Sequence, residues 1–292
     1  MSWPTLLQIF MSGLMMGLIY ALVSVGLALI FGLMDVVNFA HGDFLMFAMY
    51  ATFGLVVFTG LDPIVVAPVV AGLMFVFGAV VYFLVIRYAL RTRTNRGMVQ
   101  IFATFGLGIF MQGIAQYLFS PDYRAIKQSW LGGHTLHISG LYLPLPQIFG
   151  SVLSLVTFAV LFFLVKRTDF GRALEATRED QGAVALVGID RNRMFALGWG
   201  VGAALVGIAG SVLAIFYYIY PQVGGPFALI AYVTVALGGF GSIFGALAAG
   251  VIVGLVEAFS GMLLPPELKS LGLYVLYLGV VFVRPSGLFG KF

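Results

Sequence analysis

The chain has 292 residues, of which 61% are hydrophobic and 9% charged, and its net charge is +4. Soluble domains carry about 25% Asp, Glu, Lys and Arg, so this composition cannot cover a water-facing surface, and lipid is the solvent that suits it. The 28 Phe and 13 Tyr exclude a disordered chain, the small basic surplus a nucleic-acid binder, and the absence of cysteine any disulfide, thiolate nucleophile or Cys-ligated metal.

A membrane-spanning helix needs about 20 apolar residues. In chain order the apolar runs are 6–33, 44–58, 64–86, 98–119, 148–165, 194–220, 228–259 and 271–283. Their apolar character is continuous rather than alternating. This predicts an all-α polytopic membrane protein with about eight transmembrane helices, forming one transmembrane domain over 1–292. No basic stretch precedes the first apolar run, so a cleaved signal peptide is not expected. The run 44–58 is short unless 36–40 contributes, and 228–259 is too long for one straight helix and contains Gly238-Gly-Phe-Gly241. One or two broken or re-entrant elements are therefore expected. The breaks at 32–43 and 236–245 each precede a proline-containing turn (Asp62-Pro63 and Pro265-Pro266) and a further span, which points to an internal repeat pairing the two.

Twelve of the 15 basic residues lie in three places: Arg87, Arg91, Arg93 and Arg96, then six within 166–193, then Arg284 and Lys291. Basic loops mark the cytoplasmic side. The loop 120–147 carries only Arg124 and Lys127 as basic residues, beside Tyr123, Trp130 and Tyr142, and is predicted to be periplasmic. Counting crossings back from Arg87 places the N-terminus outside.

Between the first two spans stand Asp35, Asn38, His41 and Asp43. Ionisable groups at membrane depth face a cavity or the protein interior. On a helix Asp35, Asn38 and His41 would loosely share a face. These groups either line a translocation path or cap a helix beginning near Phe39, with His41 as a satisfied packing histidine, and the two roles are compatible. The glycines around Gly239 either shape a water-filled lumen or make a tight turn, with Gly241-x-x-x-Gly245 and Gly250-x-x-x-Gly254 packing helices.

The loop 166–193 holds six basic and five acidic side chains, 11 of the chain's 26 charges. Residues 177–187 predict a short amphipathic helix, with Ala183, Leu186 and Val187 as an apolar stripe and Gly188 as its C-cap. Such a helix suits docking against a cytoplasmic partner or lying on the membrane surface.

The order Gly171-Arg172-Ala173, Ala176-Thr177, Glu179-Asp180, Ala183 and Gly188-Ile189 resembles the coupling loop of ABC importer permeases, and most closely that of the branched-chain amino-acid (LivH-type) permeases. Other segments are similar to that family in the same order. They are Gly17-Leu-Ile-Tyr-Ala-Leu22, Gly26-Leu-Ala-Leu-Ile-Phe-Gly32, Val37-Asn-Phe-Ala-His-Gly-Asp43, Thr104-Phe-Gly106 and Ala209-Gly210. Leu237-Gly-Gly-Phe-Gly-Ser-Ile-Phe-Gly-Ala246 and Val283-Arg-Pro-Ser-Gly-Leu-Phe-Gly290 complete the set. One departure is Asp43, where the family more often has Glu.

The resemblance implies an inner-membrane, multi-pass permease subunit of a binding-protein-dependent importer. Its expected partners are a second homologous permease subunit in a heterodimer, two cytoplasmic ATP-binding subunits and a periplasmic solute-binding protein, with lipid around it and no nucleic acid. No G-x-x-x-x-G-K-[ST] occurs in the chain, so ATP and Mg²⁺ are expected on the partner subunits and no cofactor on this one. Gly171, Arg172, Ala176, Glu179, Asp180, Ala183, Leu186 and Gly188 are the expected ATPase-coupling residues. Asn38, His41, Asp43, Thr104 and Gly239 are the expected lining of the substrate path. The implied solute is small and polar or amphipathic: a branched-chain or other amino acid, with urea, short amides and aromatic acids also handled by this architecture.

Two other classes fit less well. A membrane enzyme would need a catalytic pair or a zinc site. His134 and His137 lie in the outer loop with no acidic residue between them, and Asp35 and Asp43 share one segment instead of facing each other. No catalytic or metal-binding residue is expected. An ion-gradient-driven secondary transporter or channel, with His41 and the aspartates as a proton relay, is the main alternative. Such a carrier has no need of an ATPase dock at 166–193.

Overall fold

The computed structural model describes residues 3–92, 95–127, 129–138, 140–265, 268–284 and 286–290. Arg93, Pro266, Lys291 and the side chain of Arg96 lie outside the described residues. The chain begins with α1 (Trp3–Met34), α2 (His41–Thr59) and α3 (Pro63–Val81), the last continued through a π-helical turn at Tyr82–Ile86 into α4 (Arg87–Arg91). Then come α5 (Arg96–Phe119), a hairpin of β1 (Thr135–Ile138) and β2 (Leu141–Pro144), α6 (Leu145–Arg167), α7 (Asp169–Glu179) and a 3₁₀ helix at Ala183–Val187. The last elements are α8 (Arg191–Leu213), α9 (Gly224–Gly238), α10 (Ile243–Leu263) and α11 (Leu271–Val283).

Seven helical segments among the described residues are long and apolar enough to cross a membrane: α1, α2, α3 with α4, α5, α6, α8 and α10. The helices α9 and α11 have 15 and 13 residues. At about 1.5 Å per residue both fall short of the roughly 30 Å hydrocarbon core. The eight expected spans are thus seven full-length ones and two short helices. The run 194–220 is helical only to Leu213, after which 214–223 is non-helical. The run 228–259 divides, as expected, at residues 239–242.

The two most enclosed helices are α1 and α8, each with 78% of its most apolar stretch buried, against 28% for α5. Packing is reciprocal around them. Antiparallel contact runs along α1 and α10 and equally along α3 and α8, while α1 also touches α9 and α2 touches α8. Helices α1 and α8 cross at Gly26 and Gly202, and α2 and α9 meet at Gly42 and Gly224. This is the pattern of an inverted repeat relating α1–α2–α3 to α8–α9–α10.

The repeat corrects the pairing of breaks expected from sequence. The counterpart of the non-helical segment 35–40 is 214–223, not 236–245. The turn 239–242 corresponds instead to 60–62. Each of these turns has a left-handed glycine, Gly60 or Gly239, followed by a side-chain cap: Asp62 accepting from the Ile64 amide and Ser242 accepting from the Gly245 amide. The correspondence was hidden because Phe216, Tyr217, Ile219 and Tyr220 are as apolar as a span, so the helix is left at Leu213, well before the first turn signal at Pro221-Gln222.

At the end bearing loop 120–147, Asp62 also accepts from the Ser129 hydroxyl at 2.6 Å and the Trp130 amide at 2.8 Å. Gln8 exchanges two hydrogen bonds with the Tyr142 backbone. The opposite, basic end carries α4, α7 and the 3₁₀ helix.

Candidate functional site

Helix α1 stops at Asp35, whose backbone is left-handed at φ 54° and whose side chain is exposed. The chain then turns back into the bundle without forming a helix, so Asp35, Asn38 and His41 share no helical face. At the N-terminus of α2, Nε2 of His41 donates to the Val23 carbonyl at 2.7 Å. That carbonyl lies about 16 Å back along α1 from Met34. Helix α2 therefore begins deep in the bundle, in the same place where α9 begins.

Four of the five expected path residues converge there. Asn38 is fully buried, and its Oδ1 accepts from the Ala40 amide at 3.1 Å, a local turn of the kind Asn favours. Its Nδ2 is buried without a hydrogen-bond partner. Asp43 lies in the first turn of α2, where a carboxylate is favoured by the helix dipole. Its Oδ1 accepts from Gln112 Nε2 at 2.8 Å, and its Oδ2 faces Gly108, where an added Cβ would lie 2.4 Å away. From α5 the buried Thr104 hydroxyl donates to the Gln100 carbonyl at 2.9 Å and lies 3.5 Å from the Val37 carbonyl. Gly239 stands apart. Its φ is 93° and it packs on the chain's end, with an added Cβ 2.4 Å from the Gly290 nitrogen.

Two members of this cluster were not expected, Gln112 and Tyr232. The Tyr232 hydroxyl lies 3.1 Å from both the Asn38 and Phe39 carbonyls and donates to them. It thereby satisfies two carbonyls of the non-helical backbone that no helix pairs. Neither stands out in the sequence, since α5 also carries Gln100, Thr104 and Gln116, and α9 also carries Thr234. His41 and Asp43 spend their hydrogen bonds on Val23 and Gln112, not on each other. The arrangement presents a few polar groups in an apolar setting and no nucleophile–base pair.

A second unexpected feature lies toward the opposite end of the bundle. A cavity of about 680 Å³ is lined by Tyr20, Tyr123, Tyr217, Tyr220 and Tyr274, and an adjoining one of about 390 Å³ by Gln8, Ser12 and Gln147. Between them stands an ion pair, Lys269 Nζ to Glu257 Oε1 at 3.0 Å, with the carboxylate side chain only 12% exposed. The hydrogen bond that Lys269 donates to Glu257 raises its ammonium above the ordinary range.

At the basic end the expected helix over 177–187 is replaced by two shorter elements. Asp180 is the cause: its Oδ1 accepts from the Gly182 and Ala183 amides at 2.8 and 2.9 Å, which ends α7 and opens the 3₁₀ helix. Those two amides also hold the exposed Asp180 carboxyl below the usual carboxylate range. The stripe changes with it. Val184 turns inward, while Leu186 and Val187 are 89% and 74% exposed. Gly188 ends the element at φ 80°, the cap expected of it.

The loop is fastened to the bundle from beneath. Gly171 is buried, and an added Cβ would lie 2.0 Å from the Val165 carbonyl, while Thr168 caps α7 by accepting from the Gly171 amide. Leu174 and Thr177 are buried, and Arg178 donates to the Gly241 carbonyl at 3.4 Å. Residues 288 and 289 bond back to the Leu237 and Gly238 carbonyls, so the turn 239–242 links α7 to the end of the chain. Arg172, Ala176, Glu179, Asp180, Ala183 and Leu186 face outward.

The family described as "Branched-chain amino acid transport system / permease component" matches residues 9–281. The high-affinity branched-chain amino acid transport system permease protein LivH of Escherichia coli K12 is 29% identical over 98% of this chain and 96% of its own length. BraD, the corresponding permease protein of Pseudomonas aeruginosa, is 30% identical over the same shares. A probable LivH of Methanocaldococcus jannaschii is 26% identical over 92% and 88%. No solved structure matches the chain. With seven helices able to cross a membrane, this is a multi-pass inner-membrane protein, and it belongs to the family of permease components of branched-chain amino acid transport systems.

Proposed function

We propose that the chain is a permease subunit of an ABC importer, carrying branched-chain or other small amino acids. It pairs with a second homologous permease and couples to two ATP-binding subunits that hold the ATP and Mg²⁺. A solute-binding protein delivers the cargo at the face bearing 120–147, which is periplasmic, while the basic loops at 87–96 and 166–193 are cytoplasmic. The observation that carries this reading is the pair Leu186 and Val187. Two large apolar side chains stand bare in the most charged segment of the chain, where an exposed apolar patch marks a protein contact. Arg178, Leu174 and Gly171 tie that contact to the ends of α1, α6 and α9, so force applied to it reaches the spans. Gly171 and Gly188 shape the loop, and Arg172, Ala176, Glu179, Asp180, Ala183 and Leu186 meet the ATPase.

The translocation path runs past Asn38, His41, Asp43 and Thr104, with Gln112 and Tyr232 holding them and Gly239 bracing the turn below. Toward the periplasm, the Glu257–Lys269 pair among tyrosines offers a carboxylate to an α-ammonium, an ammonium to an α-carboxylate, and aromatic surface to an apolar side chain. The path is tested by Asp43→Ala in the assembled transporter. Uptake is expected to fall roughly tenfold or more, with the amount of folded protein unchanged. Uptake at the parental rate would remove Asp43 from the path.

A further inference from the structure

We infer that the basic end contains a binding site for a phosphate-bearing anion, chemistry shared by an acidic phospholipid headgroup and free inorganic phosphate. A cavity of about 290 Å³ lies between the α3–α4 rod and the start of α8, lined by Tyr82, Arg87, Arg91, Gln181, Arg191 and Asn192. The π-helical turn at Tyr82–Ile86 re-phases α4 against α3. It leaves Arg87 and Arg91, one turn apart, facing Arg191.

Three guanidinium groups in one concavity repel one another unless an anion joins them. Among the described residues none of the three has a carboxylate within ion-pairing distance. The nearest acidic group, Asp190, is already committed: it accepts from the Asn192 and Arg193 amides and pairs with the Arg193 side chain at 3.8 Å. Arg87 Nε is buried with no hydrogen-bond partner. Arg91 and Arg191 rest over the Tyr88 and Phe195 rings, contacts that leave their N–H groups free. Tyr82 donates to Asn192 Oδ1 at 3.1 Å, which leaves the amide N–H₂ of this cavity-lining residue as a further donor. The lining is therefore a set of donors awaiting acceptor oxygens, and guanidinium forks match phosphate geometry.

The surroundings suit a ligand that belongs to the membrane. Phe83, Leu84 and Tyr88 are exposed on the same rod, and acyl chains attached to a headgroup in the cavity could lie against them. Basic pockets between spans at the cytoplasmic leaflet bind anionic headgroups in this manner. Gln181 comes from the loop between α7 and the 3₁₀ helix, so a bound phosphate would also join that loop to α4 and α8.

The test is native mass spectrometry of the purified full chain, comparing phosphatidylglycerol with phosphatidylcholine of the same acyl chains. A thermal-shift titration with inorganic phosphate runs in parallel. Phosphatidylglycerol is expected to be retained about tenfold more than phosphatidylcholine, and Arg87→Gln with Arg191→Gln to remove that preference. The double Arg→Lys variant, which keeps the charge, is expected to bind with intermediate strength, and its binding separates loss of the site from loss of fold. Arg167→Gln removes a charge outside the cavity and is expected to bind like the parent. Lipid retained in millimolar phosphate assigns the site to a headgroup, and lipid displaced by it assigns the site to the free anion. Phosphate chemistry stands in both cases. No preference in the parent with no thermal shift, as an acidic protein segment in the cavity would produce, overturns the inference. Equal loss in Arg167→Gln, or none in the double Gln variant, also overturns it.

Discussion

Gly224→Val is expected to give no monodisperse chain on size-exclusion chromatography, whereas Gly72→Ala is recovered at the parental level. Both are glycine substitutions inside apolar helices, and they differ in what the new side chain meets. At Gly224 an added Cβ would lie 2.0 Å from the Gly42 carbonyl oxygen and 2.4 Å from its carbon, and the reciprocal Cβ on Gly42 would lie 2.2 Å from the Gly224 oxygen. Backbone on both sides cannot give way as the tip of a flexible side chain can. Nothing lies within 4 Å of a Cβ on Gly72, and alanine there gains helix propensity of about 1 kcal/mol. Overpacking a core ordinarily costs about 1–3 kcal/mol. Here the N-termini of α2 and α9 would have to separate altogether, and with them the mid-bundle cluster of His41, Asp43 and Tyr232, so the cost exceeds that range. A Gly224→Val chain with the parental elution profile and melting temperature would show that the two N-termini do not approach as closely as described.

Ala183→Arg is expected to lower solute uptake at least about thirtyfold, the effect of losing an interface hot spot, while membrane abundance and the melting temperature stay parental. Ala183 is exposed, and only its backbone N–H serves the loop's own structure, by donating to Asp180. Its methyl group fills no internal space. A long cation there changes what the loop presents and leaves its folding intact. Beside it stand Leu186 and Val187, the apolar surface a partner would cover. Ala183→Ser, which keeps the size, is expected to transport normally. Uptake and immunoblotting of membranes for the parent and both variants check this, and parental uptake by Ala183→Arg would remove the loop from the coupling path.

The spans were legible because lipid imposes a length and a composition on any crossing helix, and the break at 35–40 was legible because Asp35, Asn38, His41 and Asp43 interrupt an apolar run. The second break was legible only from Pro221 on. Residues 214–220 leave the helix with aromatic and aliphatic side chains that suit a helix equally well, so the inverted repeat could be seen only in the packing of α1 on α10 and α3 on α8. Of the buried polar groups in the middle of the bundle, Thr104 and Asp43 were named from motif, whereas Gln112 and Tyr232, like Glu257 in the second cavity, were not. A single polar residue on an apolar helix has the same sequence signature whether it faces the bundle or a partner, and the choice is made by helix rotation. The charged segment 166–193 does lie between two membrane-capable helices, α6 and α8, but its internal geometry was not legible. Propensity favoured one helix over 177–187, and a single carboxylate, Asp180, captured two backbone amides and divided it.

Energy source is what separates an ATP-coupled permease from a gradient-driven carrier using the same membrane helices. The direct measurement is uptake of labelled leucine by cells carrying the assembled transporter, made once after a protonophore has collapsed the proton gradient with ATP maintained, and once after ATP is depleted with the gradient maintained. Uptake that persists in the first condition and stops in the second is the predicted result. Uptake that stops with the gradient and persists without ATP would contradict the account.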